Sequence, residues 1–66
     1  MLGQTVPTLE AIDSTRGRVF VEGETWNAVS DSLIPQGELA TIVGIQGLSL
    51  KVTPSRRENS NDQNKS

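Results

Sequence analysis

Residues 17–31, Gly-Arg-Val-Phe-Val-Glu-Gly-Glu-Thr-Trp-Asn-Ala-Val-Ser-Asp, constrain the fold more than any other part of the chain. Two runs of β-branched and aromatic side chains flank a central glycine, the pattern of two strands joined by a tight turn. A turn at Gly23-Glu24 sets Glu22 opposite Thr25, Val21 opposite Trp26 and Val19 opposite Ala28. Side chains alternate across a strand, so Val19, Val21, Trp26 and Ala28 share one face and supply a piece of core. Arg18, Phe20, Asn27 and Val29 fall on the other face. An aromatic ring and a valine among polar neighbours mark that face as a candidate partner-binding surface.

Strand signals recur along the rest of the chain at short intervals, with glycine or proline between them. Gln4–Ala11 is the first strand, and Pro7 restricts it to an edge or a bulge. Asp13–Arg16 is a polar turn, and the second and third strands are Arg18–Glu22 and Thr25–Ser30. Asp31–Gly37, with Pro35 and Gly37, is too short for a helix of usual length. Glu38–Gln46 and Ser49–Thr53 then turn at Gly47-Leu48, which pairs Ile45 with Leu50 and Val43 with Val52 on one face. Ala40 and Ile42 have the opposite parity, so burying them as well requires a bulge at Gly44. A bend of that kind lets a small sheet curl closed. The expected fold is all-β, five strands without a helix, closed into a barrel. From Ser55 onward no side chain is apolar, so residues 55–66 are expected to form a disordered polar tail after a domain of residues 1–54.

The chain has no cysteine and no histidine, which removes disulfides, thiolate metal sites and the commonest acid–base group. Asp13, Glu22, Glu24 and Asp31 sit in or beside turns without the dense oxygen spacing of a calcium site. Ser49 and Lys51 share a strand face, but no oxyanion donor accompanies them, and the scattered glycines make no phosphate loop. Trp26 reads as a core residue at a barrel end. No catalytic, cofactor-binding or metal-ligating residue is expected. Residues 1–54 carry Arg16, Arg18 and Lys51 against six acids, a net of three negative charges, the reverse of what phosphate contacts ask for. The longest nearly unbroken apolar stretch, Leu39–Ile45, is far below the roughly 20 residues of a membrane span, and Met1–Gln4 lacks signal-peptide character. The chain as given is therefore expected to be soluble, with Arg56-Arg57 at most a weak lipid anchor.

Gly17–Ala28, then Ile34-Pro-Gln-Gly37, then Val43-Gly-Ile-Gln-Gly47-Leu-Ser-Leu50-Lys-Val52-Thr-Pro54 together resemble the C-terminal soluble domain of the NfeD family. Leu2-Gly3-Gln4 is similar to the opening of that domain, whereas Val6-Pro7-Thr8 departs from the glycine and small residues of relatives. The resemblance implies a small five-stranded OB-type barrel without the usual helix between strands three and four. It also implies a non-enzymatic protein-protein interaction domain of a membrane-associated protein, with a stomatin- or prohibitin-like partner. Family members attach to the membrane through transmembrane helices, and longer ones carry a ClpP-like serine protease domain; neither has a counterpart in these residues. No cofactor is implied. The alternative is a single-stranded nucleic-acid-binding OB domain. Such a domain wants several aromatic platforms and a basic groove, and this chain offers one Phe, one Trp, no Tyr and an acidic barrel.

Overall fold

Five strands and no helix make up residues 2–55, the residues described by the computed structural model. They are β1 (Thr5–Pro7), β2 (Arg18–Val21), β3 (Glu24–Val29), β4 (Leu39–Gln46) and β5 (Ser49–Pro54). They form one sheet in the order β1-β4-β5-β3-β2. The β3–β5 pair is parallel and the other ladders are antiparallel. The all-β, helix-free reading of the sequence therefore holds. Of the expected tail, residues 55–66, all but Ser55 lies outside the described residues.

The two ends of the strand order come together at a single bridge, Thr8 with Val19. Beside it the Leu9 N–H donates to the Arg18 carbonyl at 2.8 Å. The sheet is thus curled into a partly open barrel of OB type, and the full closure expected from the sequence is corrected to a one-bridge seam. Pro7 gives the reason. Thr8 donates to Glu38 on the β4 side while Leu9 donates to β2, so alternate residues of this segment serve alternate neighbours. Pro7 is on the side of Leu9 and has no N–H to offer β2. β1 itself, paired with β4, is three residues long, shorter than the Gln4–Ala11 strand expected.

Both hairpins are built as the turn chemistry requires. In β2–β3 the two turn residues are Glu22 and Gly23, with φ of 50° and 87°, a type I′ turn. Val21 pairs with Glu24, Phe20 with Thr25, Val19 with Trp26 and Arg18 with Asn27. Each expected partner is thereby displaced by two residues, because the turn falls one position earlier than Gly23-Glu24. Displacement by two leaves every side chain on its expected face. In β4–β5, Gly47 has φ 63° and opens a type II′ turn, and Ile45 pairs with Leu50 as expected. The register slips between Ile42 and Gly44, where Ile42 pairs with Val52 and Gly44 with Lys51. Val43 is the extra residue, so the bulge falls one residue before the expected Gly44, which is itself paired, and the Val43–Val52 pairing does not form. The inward positions are filled by Ala40 and Ile42 before the bulge. Beyond it the strand runs past the core, leaving Val43 and Ile45 exposed.

The core consists of Val6, Ile12, Val19, Val21, Ala28, Ile34, Ala40, Ile42, Leu50 and Val52, with Trp26 half-buried against it. Ile12 and Ile34 enter it from outside the strands. Their backbones exchange two hydrogen bonds of 2.8 and 2.9 Å, which pins the β1–β2 connection to the helix-free β3–β4 connection. The Asp13–Arg16 turn is held by the Asp13 carboxylate. Its Oδ1 accepts the Thr15 N–H at 2.8 Å, the Thr15 hydroxyl at 2.8 Å and the Arg16 N–H at 2.9 Å. Thr8 is buried, and its hydroxyl reaches the Pro35 and Glu38 carbonyls at 3.2 and 2.8 Å while accepting the Gly37 N–H at 2.9 Å. A polar side chain inside so small a core is tolerated because its hydrogen bonds are all made.

Candidate partner-binding face

Arg18 and Asn27 are direct partners across β2 and β3, and Val29 lies two residues beyond Asn27 on the same face. Val29 is in turn paired with Lys51 of β5. Arg18, Asn27 and Val29 line a shallow groove of about 290 Å³, together with Glu10, Arg16 and Ser49. The Arg18 Nε stands 3.5 Å from Glu10 Oε2, with both side chains well exposed. Lys51 Nζ stands 3.3 Å from Asp31 Oδ1. This engages the lysine of the Ser49–Lys51 pair with an acid. Exposed pairs of this kind hold their partners loosely, since solvent screens them.

Phe20 lies outside that groove. It is opposite Thr25 and 42% exposed, on the outer face at the β1 side of the hairpin. The structure thus brings together three of the four residues singled out in the sequence and sets the fourth apart. What accompanies Phe20 was not visible in the sequence. Thr8 bridges Val19, so one step along each strand Pro7 comes opposite Phe20 across the seam. Pro7 is itself paired with Leu39 of β4. Phe20, Pro7 and Leu39 form a row across three strands, with Leu9 next to Pro7 on the same face of its segment. Leu39 and Leu9 are 44% and 42% exposed. Leu39 has the outward parity relative to Ala40, which was readable. The docking of β1 between β4 and β2 was not.

Asp13, in the connection between β1 and β2, is not part of this row. Hydrogen bonds from the Thr15 N–H, then the Thr15 hydroxyl and the Arg16 N–H, hold its acid below the usual carboxylate range. Among the described residues no three Asp or Glu side chains group closely enough to hold a metal ion.

A small curled sheet that presents polar and apolar side chains on a firm outer face is the frame of a binding domain. The chain matches the family of the NfeD-like C-terminal, partner-binding domain over residues 1–54, and it belongs to that family. It is similar to the C-terminal domain of stomatin operon partner protein 1510-C from Pyrococcus horikoshii, with a TM-score of 0.75 and 33% identity over 85% of this chain and 89% of that one. It is also similar to the soluble domain of a membrane protein implicated in regulation of membrane protease activity from Corynebacterium glutamicum. There the TM-score is 0.75 and the identity 28%, over 80% of this chain and 89% of that one. No curated protein sequence matches the chain.

Proposed function

We propose that this chain is a protein-protein interaction domain that works by binding alone, and that the outer face bearing Arg18, Phe20, Asn27 and Val29 meets a stomatin- or prohibitin-like partner. The observation that carries the reading is Phe20, an aromatic ring 42% exposed in a hairpin anchored to the core by Val19 and Val21. Aromatic anchors of that kind dominate binding energy at protein interfaces. Membership of a partner-binding domain family supports the interaction role. The similar Pyrococcus horikoshii domain comes from a stomatin operon partner protein, which supports a stomatin-like partner. The similar Corynebacterium glutamicum structure is the soluble domain of a membrane protein, which supports a domain held outside the bilayer by a membrane anchor. Among the described residues, no helix is long and apolar enough to cross a membrane. In this reading residues 1–54 are the binding unit and residues 55–66 a polar tail.

A two-dimensional amide NMR titration tests the proposal. Adding the soluble core of a stomatin-like protein is expected to shift the amides around Phe20, Asn27 and Val29. A short single-stranded oligonucleotide is expected to shift none. Saturable shifts with the oligonucleotide that fade at higher salt would replace the proposal with the nucleic-acid reading.

A further inference from the structure

We infer that the partner is held chiefly by the row Phe20–Pro7–Leu39 across the seam, and that the partner surface it fits is an apolar patch flanked by Lys or Arg. The inference rests on the partner-binding reading above and specifies the chemistry of its site. Three observations lead to it. The row is contiguous by register, from Phe20 on β2 through Pro7 on β1 to Leu39 on β4, and Leu9 widens it beside Pro7. Phe20, Leu39 and Leu9 are each a little over two-fifths exposed, enough area to lose to a partner while their bases stay fixed in the sheet.

Among the described residues, two acids stand beside the row. Glu22 stands in the turn after β2, and Glu38 directly precedes Leu39. Neither forms an ion pair among the described residues, whereas Arg18, two residues before Phe20, is paired with Glu10. An apolar strip bounded by uncompensated carboxylates repels an acidic partner and steers a basic one. Side-chain docking, not strand addition, is the mode this site allows. Pro7 has no N–H to extend a ladder at the seam, and the Thr8 bridge already occupies the β2 edge at Val19.

The test is calorimetric titration of the full chain and its variants with the soluble core of a stomatin-like protein, at low and at high salt. Replacing both apolar anchors, F20S with L39S, is expected to raise Kd by about tenfold or more. L39S alone should raise it several-fold. L48S removes a leucine that is 94% exposed at the far hairpin tip and should leave Kd unchanged. Charge reversal, E22K with E38K, should weaken binding several-fold and flatten its salt dependence. An amide spectrum of each variant confirms the fold. Wild-type binding that survives F20S/L39S would overturn the row while leaving the interaction role standing. Binding indifferent to E22K/E38K would overturn the basic partner. A wild-type chain that does not bind overturns the stomatin-like reading and this site with it.

Discussion

Gly17 lies so close under Ile12 that a Cβ built on it would stand 2.5 Å from Ile12 Cγ1 and 2.7 Å from Ile12 Cα. The glycine is needed there because a backbone segment passes over the core at a distance that leaves no room for a methyl group. Gly17→Ala is therefore expected to destabilise the fold by about 1–3 kcal/mol through overpacking. In a domain this small, each kcal/mol moves Tm by roughly 4–8 °C. Gly44→Ala is the contrast, since its Cβ would meet only Lys51 Cβ at an ordinary 3.8 Å. That change should be neutral or stabilising by up to about 1 kcal/mol. Thermal melts of the two variants check the pair, and equal melting temperatures would refute the account.

Glu22 is the one non-glycine residue with positive φ, 50°, among the described residues. A left-handed conformation costs an ordinary L-residue roughly 1–2 kcal/mol, and asparagine bears it best. Glu22→Asn creates the Asn-Gly pair favoured in type I′ turns and should stabilise the hairpin by about 1 kcal/mol. Urea unfolding should show a higher midpoint at an unchanged slope.

Asp13 makes part of the stability depend on pH. Its folded pKa is depressed, chiefly by the Thr15 N–H, so the unfolded chain takes up a proton first as the solution is acidified. The stabilising contribution is present above the ordinary carboxylate range and is lost as pH falls through about 4 toward the folded value. Asp13→Asn keeps an oxygen that can accept the same bonds but has no charge to titrate. Its stability should fall less steeply below about pH 4 than that of the wild type, measured as denaturant midpoints across the acid range. Parallel curves would show that other carboxylates dominate acid unfolding.

The Arg18–Glu10 pair should add little to stability. Its side chains are 59% and 45% exposed and 3.5 Å apart, and such pairs are commonly worth less than about 1 kcal/mol. Arg18→Ala should shift the urea midpoint by no more than a few tenths of a molar. A large loss would mean that the aliphatic stem of Arg18, not its charge, packs on the barrel.

How far the sequence revealed this molecule can be judged from particular residues. The faces of the β2–β3 hairpin were legible because side-chain alternation has a period of two, and the same period hid the register. Sliding the partners by two residues leaves Val19, Val21, Trp26 and Ala28 on one face, so the apolar pattern cannot separate the two turns. The observed turn is the one that lets Ala28 donate to the Gly17 carbonyl at 2.9 Å and brings Gly17 beneath Ile12. That is a tertiary contact, and no local pattern announces it. Ile34 was missed as core for a similar reason. It stands beside Pro35 in a connection with no periodicity, and its burial depends on pairing with Ile12, more than twenty residues away. In the candidate face, Phe20 was visible as an outward aromatic. Its neighbours Pro7 and Leu39 became visible only once β1 was seen lying between β2 and β4.

The seam closed by Thr8 and Val19 also has a mechanical meaning. A barrel fastened at one bridge behaves as a five-strand ribbon with a single clasp, and the clasp is the first place thermal motion can part it. The amide of Leu9, bonded across that gap to Arg18, reports on its opening and should lose hydrogen-exchange protection before the amides of the β4–β5 ladder. A molecule seated on the row Phe20–Pro7–Leu39 would lie across the clasp and splint it. Recognition and closure of the ring then become one event, and occupancy is recorded in how slowly the barrel comes apart.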